Sequence, residues 1–192
     1  MASTLQDFTR RRFAQGVSAA VATLSWGRLA EATIVGWLTL EALVRRSDHI
    51  VLGTPLASTT RFIDLPGSHR IVTDVGVRID DVLAKAPPSA GEVVVRVLGG
   101  VVGKSAEFVD GQAELSQGSA CVLFLCQADA EVHWVAGMAQ GHFPLRVDSA
   151  GTPRLAASPR LPEMLHPERS AARRLVGADI SSAQALVQTL VP

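Results

Sequence analysis

The chain has 192 residues, with 18 basic and 18 acidic side chains and no formal net charge. That balance excludes the concentrated cationic face a polyanion-binding surface needs, so nucleic acid is not an expected partner. Tyr is absent and only 6 Phe and 3 Trp occur, which leaves few platforms for stacking bases or sugars; Phe62, Trp134 and Phe143 are the ones a small aromatic patch would draw on.

At the N-terminus, Thr9-Arg10-Arg11-Arg12-Phe13 precedes the mild apolar stretch Ala14–Trp26. Arginines ahead of an apolar segment and a small-residue cleavage site describe an export signal. The stretch Ala14–Ser25 is rich in Ala, contains Gly16 and Ser18, and is cut off by Arg28, short of the roughly 20 apolar residues of a spanning helix. The Thr-Arg-Arg-x-Phe arrangement resembles the signal read by the bacterial twin-arginine export pathway. The resemblance covers residues 1–32 and implies a periplasmic or extracellular protein with no stable membrane span after processing. Cleavage after Ala32, in Ala30-Glu31-Ala32, leaves a mature chain starting at Thr33. The competing reading is a retained basic amphipathic helix that packs on the body or lies on a membrane surface. Substrates of this pathway cross folded, often around a cofactor, but no motif downstream binds one and none is expected. The segment removed holds four Arg, one Asp and one Glu, so the mature part keeps 14 basic and 16 acidic residues. It is long enough to bury one good core.

Along the mature part, Ile34–Arg46 repeats Trp37, Leu38, Leu40, Leu43 and Val44 at helical spacing, and Arg45-Arg46 suits a helix C-terminus. His49–Ala57 reads as a short strand that Gly53 and Pro55 interrupt, and Ser58–Arg70 holds the turn pair Pro66-Gly67. Ile71–Leu83 alternates as a long strand in which Gly76 marks a bend or bulge. After the loop Ala86–Gly91, Glu92–Leu98 is a strand broken by Gly99-Gly100, Val101-Val102 runs on to Gly103, and Phe108-Val109 ends at the turn Asp110-Gly111. Cys121–Cys126 is the most apolar short run. Val132–Met138 and Gly141–Val147 read as the last strands, separated by a turn of Ala139, Gln140 and Gly141. Pro153, Pro159, Pro162 and Pro167 make Ser149–Pro167 an irregular arm, and Ser181 or Ser182 caps a final helix Ala183–Leu190.

These elements predict a mainly β fold: a small antiparallel barrel or sandwich, with the oligonucleotide-binding type of barrel among its forms, framed by N- and C-terminal helices. Hairpin-sized turns leave no room for crossover helices, which removes the doubly wound folds. The expected organisation is a signal peptide at 1–32, a β-rich domain with a leading helix at 33–148, and a Pro-rich arm with a short helix at 149–192.

The segments Asp48–Gly53, Ile71–Leu83, Gly99-Gly100, Asp110-Gly111, Gly118–Leu125 and Val135–Val147, with Gly141 and Phe143, resemble the pattern of a group of bacterial secreted β-rich proteins. That group lends no activity. More distantly, the pattern is similar to netrin-like domains and metalloprotease inhibitors, which have barrels of the oligonucleotide-binding type. Those inhibitors approach their target's zinc with a Cys at the mature N-terminus. Here the expected start is Thr33 and the nearest Cys is Cys121, so the inhibitory residue is missing.

Candidate chemistry is sparse. Gly99-Gly100-Val101-Val102-Gly103-Lys104-Ser105 imitates a phosphate loop, but Leu98 stands where the first glycine belongs and no helix follows, so a glycine-rich hairpin turn is the better reading and no nucleotide is expected. Cys121 and Cys126 lie five residues apart on one strand, on opposite faces and too far apart to pair. The histidines His49, His69, His133, His142 and His166 lack metal-ligand spacing. His133 and His142 could face each other across a hairpin, where Asp129 or Glu131 would complete a weak zinc site. Asp64, Ser68 and His69 offer orienter, nucleophile and base by type in one loop, without a Gly-x-Ser-x-Gly elbow. Asp74, Asp80 and Asp81 read as solvated strand residues, with paired-carboxylate hydrolysis as the functional alternative.

Neither a catalytic, a cofactor-binding nor a metal residue is assigned. The expected function is a secreted or periplasmic non-catalytic module that binds or supports a protein or cell-envelope component. The alternative is a small exported hydrolase or metal-dependent enzyme using His133, His142 or His69 with a nearby carboxylate.

Overall fold

The structure, a computed structural model, describes residues 36–192 apart from 66, 88–90, 130, 163–166 and 192. The signal and cleavage site expected at residues 1–32, and His166, lie outside the described residues.

The leading helix, α1 (Leu40–Arg46), is shorter than the apolar spacing predicts. Thr39 caps it through a side-chain oxygen that accepts from the Ala42 N–H, and Leu40, Leu43 and Val44 are buried. The residues just before it are not helical, and the Gln140 side chain exchanges hydrogen bonds with their backbone. Gln140 Oε1 accepts from the Leu38 N–H at 2.7 Å and its Nε2 donates to the Gly36 carbonyl at 3.1 Å.

A long hairpin follows, β1 (His49–Leu65) against β2 (Ser68–Ala84). Gly53 and Pro55 do not end β1; the register shifts between Leu52 and Gly53 and between Pro55 and Ser58, so both residues sit at bulges that coil the ribbon. A β carbon at Gly53 would lie 2.7 Å from Val77 Cγ1 and 2.9 Å from the Arg78 carbonyl oxygen, which leaves no room for a side chain. The sequence then forms β3 (Glu92–Leu98), a small hairpin of β4 (Gly100–Val102) and β5 (Ser105–Glu107), β6 (Cys121–Gln127), β7 (Val132–Val135), β8 (His142–Val147) and β9 (Pro153–Leu155).

β7 and β8 are one interrupted strand along the same edge of β6. Leu125 pairs with Val135 and Leu123 with His142, and residues 137–141 are extruded between them, with a 3-10 turn at Met138–Gly141. In the main sheet the strands lie in the order β1-β2-β3-β7-β6-β8-β9, and a further β1–β6 pairing makes a ring of β1, β2, β3, β7 and β6. The antiparallel barrel expected from the sequence is corrected here. The sheet is mixed, because β3 and β7 pair in parallel, and it runs on through β8 to end at β9 rather than closing into a barrel. Short turns predict antiparallel neighbours, but residues 99–131 between β3 and β7 are long enough to bring the chain back in the same direction.

Strand alternation divides the apolar side chains between two cores. Val51, Val75, Val77, Val95, Leu123 and Leu125 fill the face enclosed by the ring. Ile50, Phe124, Phe143 and Leu155 on the other face pack on Leu43 of α1, Leu175 of α2 (Ala171–Leu175) and Val187 of α3 (Ile180–Gln188). The arm therefore contributes β9 and α2 to the body, and α3 starts earlier than expected. Its cap is Asp179, which accepts from the Ser182 N–H, not Ser181 or Ser182. Among the described residues no helix is long and apolar enough to cross a membrane.

Candidate functional site

The His133–His142 pairing that a hairpin would allow does not form, and both residues are buried rather than on the surface. His142 is buried where β8 pairs with β6, and its Nδ1 lies 2.9 Å from Ser158 Oγ of the arm. Burial pushes its pKa down to about 4. His133 points into the ring and meets His49 instead, their rings edge to face with centroids 5.2 Å apart. His49 Nδ1 lies 3.0 Å from the Lys85 carbonyl. A carbonyl only accepts, so that nitrogen is the donor.

Among the described residues, His49 Nε2 and both ring nitrogens of His133 are buried with no hydrogen-bond partner. Burial above all, and then the neighbouring His49, hold the His133 pKa below its usual value. Asp129, which a zinc site on those histidines would have drawn on, spends Oδ1 on the backbone N–H groups of Glu131 and Val132. No group of three or more His, Cys, Asp or Glu side chains among the described residues is placed to hold a metal ion.

Asp64 and His69 do meet, Oδ1 to Nδ1 at 2.7 Å, with Ser68 beside them. They sit at the tip of the β1–β2 hairpin with both side chains exposed and His69 stacked on Phe62. Among the described residues, no pocket encloses a substrate there. Asp74 is bound by Arg61 and Arg96, the Arg96 hydrogen bonds doing most to lower its pKa, and Asp80 is bound by Arg78 and Thr54. The carboxylates are thus joined to cations rather than to each other. Cys121 faces the ring interior and Cys126 the helix-side core, and both thiols are free. Burial pushes the Cys121 pKa up to about 12. The Gly-Lys-Ser segment forms the turn between β4 and β5. Phe62, Trp134 and Phe143 fall in three separate places, on the hairpin, on β7 and inside the helix-side core.

One concavity is a feature the sequence does not mark. A cleft of about 460 Å³ opens where β2 and β3 leave the ring, under the β4–β5 hairpin and the segment that follows it. Its walls include Val75, Val97, Leu98, Val109, Ala113 and Leu115. Val101 and Phe108, also lining it, are 65% and 73% exposed. Its charged residues are compensated: Glu107 is paired with Arg70 and Glu114 with Arg160, whose guanidinium also lies 4.9 Å from the centre of the Phe108 ring. Gln112 lines the same cleft and is 8% exposed. Its only sequence signal is its place directly after the Asp110-Gly111 turn.

Compared with protein-family models, curated proteins and solved structures, the chain matches none of them.

Proposed function

We propose that this chain is an exported, non-catalytic binding module of the bacterial periplasm or exterior, which takes an apolar element of a protein or cell-envelope component into the cleft beside β3. The observation that carries this reading is the cleft itself. Its walls are aliphatic, it lies in the size range of ligand clefts, roughly 300–1,000 Å³, and its rim exposes Val101 and Phe108. Apolar side chains left in water around an aliphatic concavity are what an interaction site presents. The hydrolytic alternative has less behind it, because the His–carboxylate pair at His69 and Asp64 stands on an open hairpin tip. Export rests on the arginine run at Arg10–Arg12.

The neutral dye Nile red tests the cleft. We expect its fluorescence to rise on adding the protein and the rise to be lost in Val101→Asp and Phe108→Asp, whose side chains lie outside both cores. An undiminished signal in both variants overturns the reading. For export, replacing Arg10 and Arg11 by Lys should retain the protein in the cytoplasm of a bacterial host, and N-terminal sequencing of the exported form should begin at Thr33.

A further inference from the structure

We propose that His49 and His133 form a two-nitrogen site for a single copper(I) ion at one end of the ring. β6 brings the two residues together. His49, the first residue of β1, pairs with Leu125, and His133, near the start of β7, pairs with Gln127 on the other edge of β6. Leu125 and Gln127 are two apart, so strand alternation sets both imidazoles on the same face, and their ring centres lie 5.2 Å apart. Both residues are more than nine-tenths buried, and among the described residues His49 Nε2 and both nitrogens of His133 have no hydrogen-bond partner. Leaving such atoms unpaired is costly, and a native fold keeps few of them. A metal ion answers both rings at once, because neutral imidazole offers it a lone pair and burial favours the neutral form.

The surroundings suit a pair of ligands. His49 donates from Nδ1 to the Lys85 carbonyl at 3.0 Å, the outer hydrogen bond that makes Nε2 the ligating atom. That carbonyl is fixed in place, since the Lys85 ammonium donates to the Val44 and Ser47 carbonyls at 2.8 Å each. The Val94 carbonyl favours the charged form of His133 without reaching hydrogen-bond geometry, and it is the acceptor for whichever nitrogen does not ligate.

Charge and ligand number select the ion. Asp48 and Asp129 both favour positive charge at His133, and Arg96 on the neighbouring strand is paired with Asp74. That field prefers a cation to an anion. A divalent ion brings more charge into the same dry setting, at a higher desolvation cost. Zinc closes a structural site with four ligands, and no third His, Cys, Asp or Glu joins this pair among the described residues. Copper(I) is monovalent, has a filled d shell, binds imidazole and is stable between two nitrogen donors.

The test uses the full-length protein without a histidine tag, labelled with nitrogen-15 and kept free of oxygen, with copper(I) supplied as its acetonitrile complex. We expect one equivalent to be taken up and the ring nitrogens of His49 and His133 to shift, while those of His69 and His142 stay. Copper K-edge absorption should report a two-coordinate ion bound by nitrogen alone. His49→Gln and His133→Gln should each weaken copper about tenfold. Thiols also take copper(I), so sulfur in the copper's shell, or both variants binding copper as tightly as the parent, overturns the proposal. Absence of uptake with the ring nitrogens unmoved overturns it too, and leaves the pair to water alone. The nitrogen shifts and the absorption edge are read on the unsubstituted protein, so they decide the matter even if a variant misfolds.

Discussion

Among the described residues, a buried histidine and a buried thiol carry the largest displacements of titration. His142 in the folded chain has a pKa of about 4, against a usual value of 6.5, because burial penalises the imidazolium. His133 is displaced in the same direction. The folded state therefore binds fewer protons than the unfolded chain between the two values, so this contribution to stability is complete above pH 6.5 and is lost as pH falls toward 4. For His142 the loss is on the order of 3 kcal/mol. Urea unfolding at a series of pH values should show midpoints falling across that window, with a shallower fall in His142→Gln. A variant as steep as the parent would remove His142 as a cause. Cys121 makes the complementary case. With its pKa near 12 and its side chain sealed inside the ring, almost no thiolate exists at pH 8. Mass spectrometry should find Cys121 unmodified by iodoacetamide in the folded protein and modified once urea unfolds it; rapid labelling without denaturant would show that the ring opens.

At the scale of elements, the extruded turn between β7 and β8 holds the chain ahead of α1. Gln140 bridges Leu38 and Gly36, and the strand closes back on itself at Gly141, where a β carbon would lie 2.2 Å from the Ala136 carbonyl oxygen. Gln140→Leu leaves a buried backbone N–H and a carbonyl without their partner, at a cost of about 1–3 kcal/mol for each group that water cannot reach. Gly141→Ala must displace backbone and should cost more. Chemical denaturation of the two variants checks both the size and the order, and a Gly141→Ala protein as stable as the parent would contradict the geometry. The sequence marked this turn through Ala139, Gln140 and Gly141, and it marked β3 to the residue, because alternating valines between glycines leave little choice. It misplaced the end of β1, which read as a short strand stopping at Ala57 with Gly53 and Pro55 interrupting it, whereas bulges absorb both and the strand runs on to Leu65. It also began α1 too early. The apolar spacing of Trp37 and Leu38 continues the helix, while the side chain that binds the Leu38 N–H and the Gly36 carbonyl outside a helix lies more than a hundred positions away.

In the whole molecule, what local pattern could not disclose is which strands meet. The parallel β3–β7 pairing, the β1–β6 contact that makes the ring, the meeting of His49 with His133 and the cleft beside β3 all join residues far apart in sequence. Periodicity reports which side of a strand is apolar; it is silent about what covers that side. The same strands nevertheless serve both cores, and this makes a prediction about cooperativity. Ile50 and Val51 are neighbours on β1, and Leu123 and Phe124 on β6, yet one of each pair faces the ring interior and the other faces the helices. α3 adds two ties to β2 through Gln184 and Gln188, whose amides donate to the Val82 and Leu83 carbonyls. Neither core can loosen without displacing strands that the other needs. Leu175→Ala on the helix side should cost about 2–5 kcal/mol, and Val95→Ala inside the ring should lower the same transition. Tryptophan fluorescence and far-ultraviolet circular dichroism should move together in each variant, with the denaturant slope unchanged. Two separated transitions in Leu175→Ala would mean that the helices and the ring unfold as independent units, and that the shared strands do not couple them.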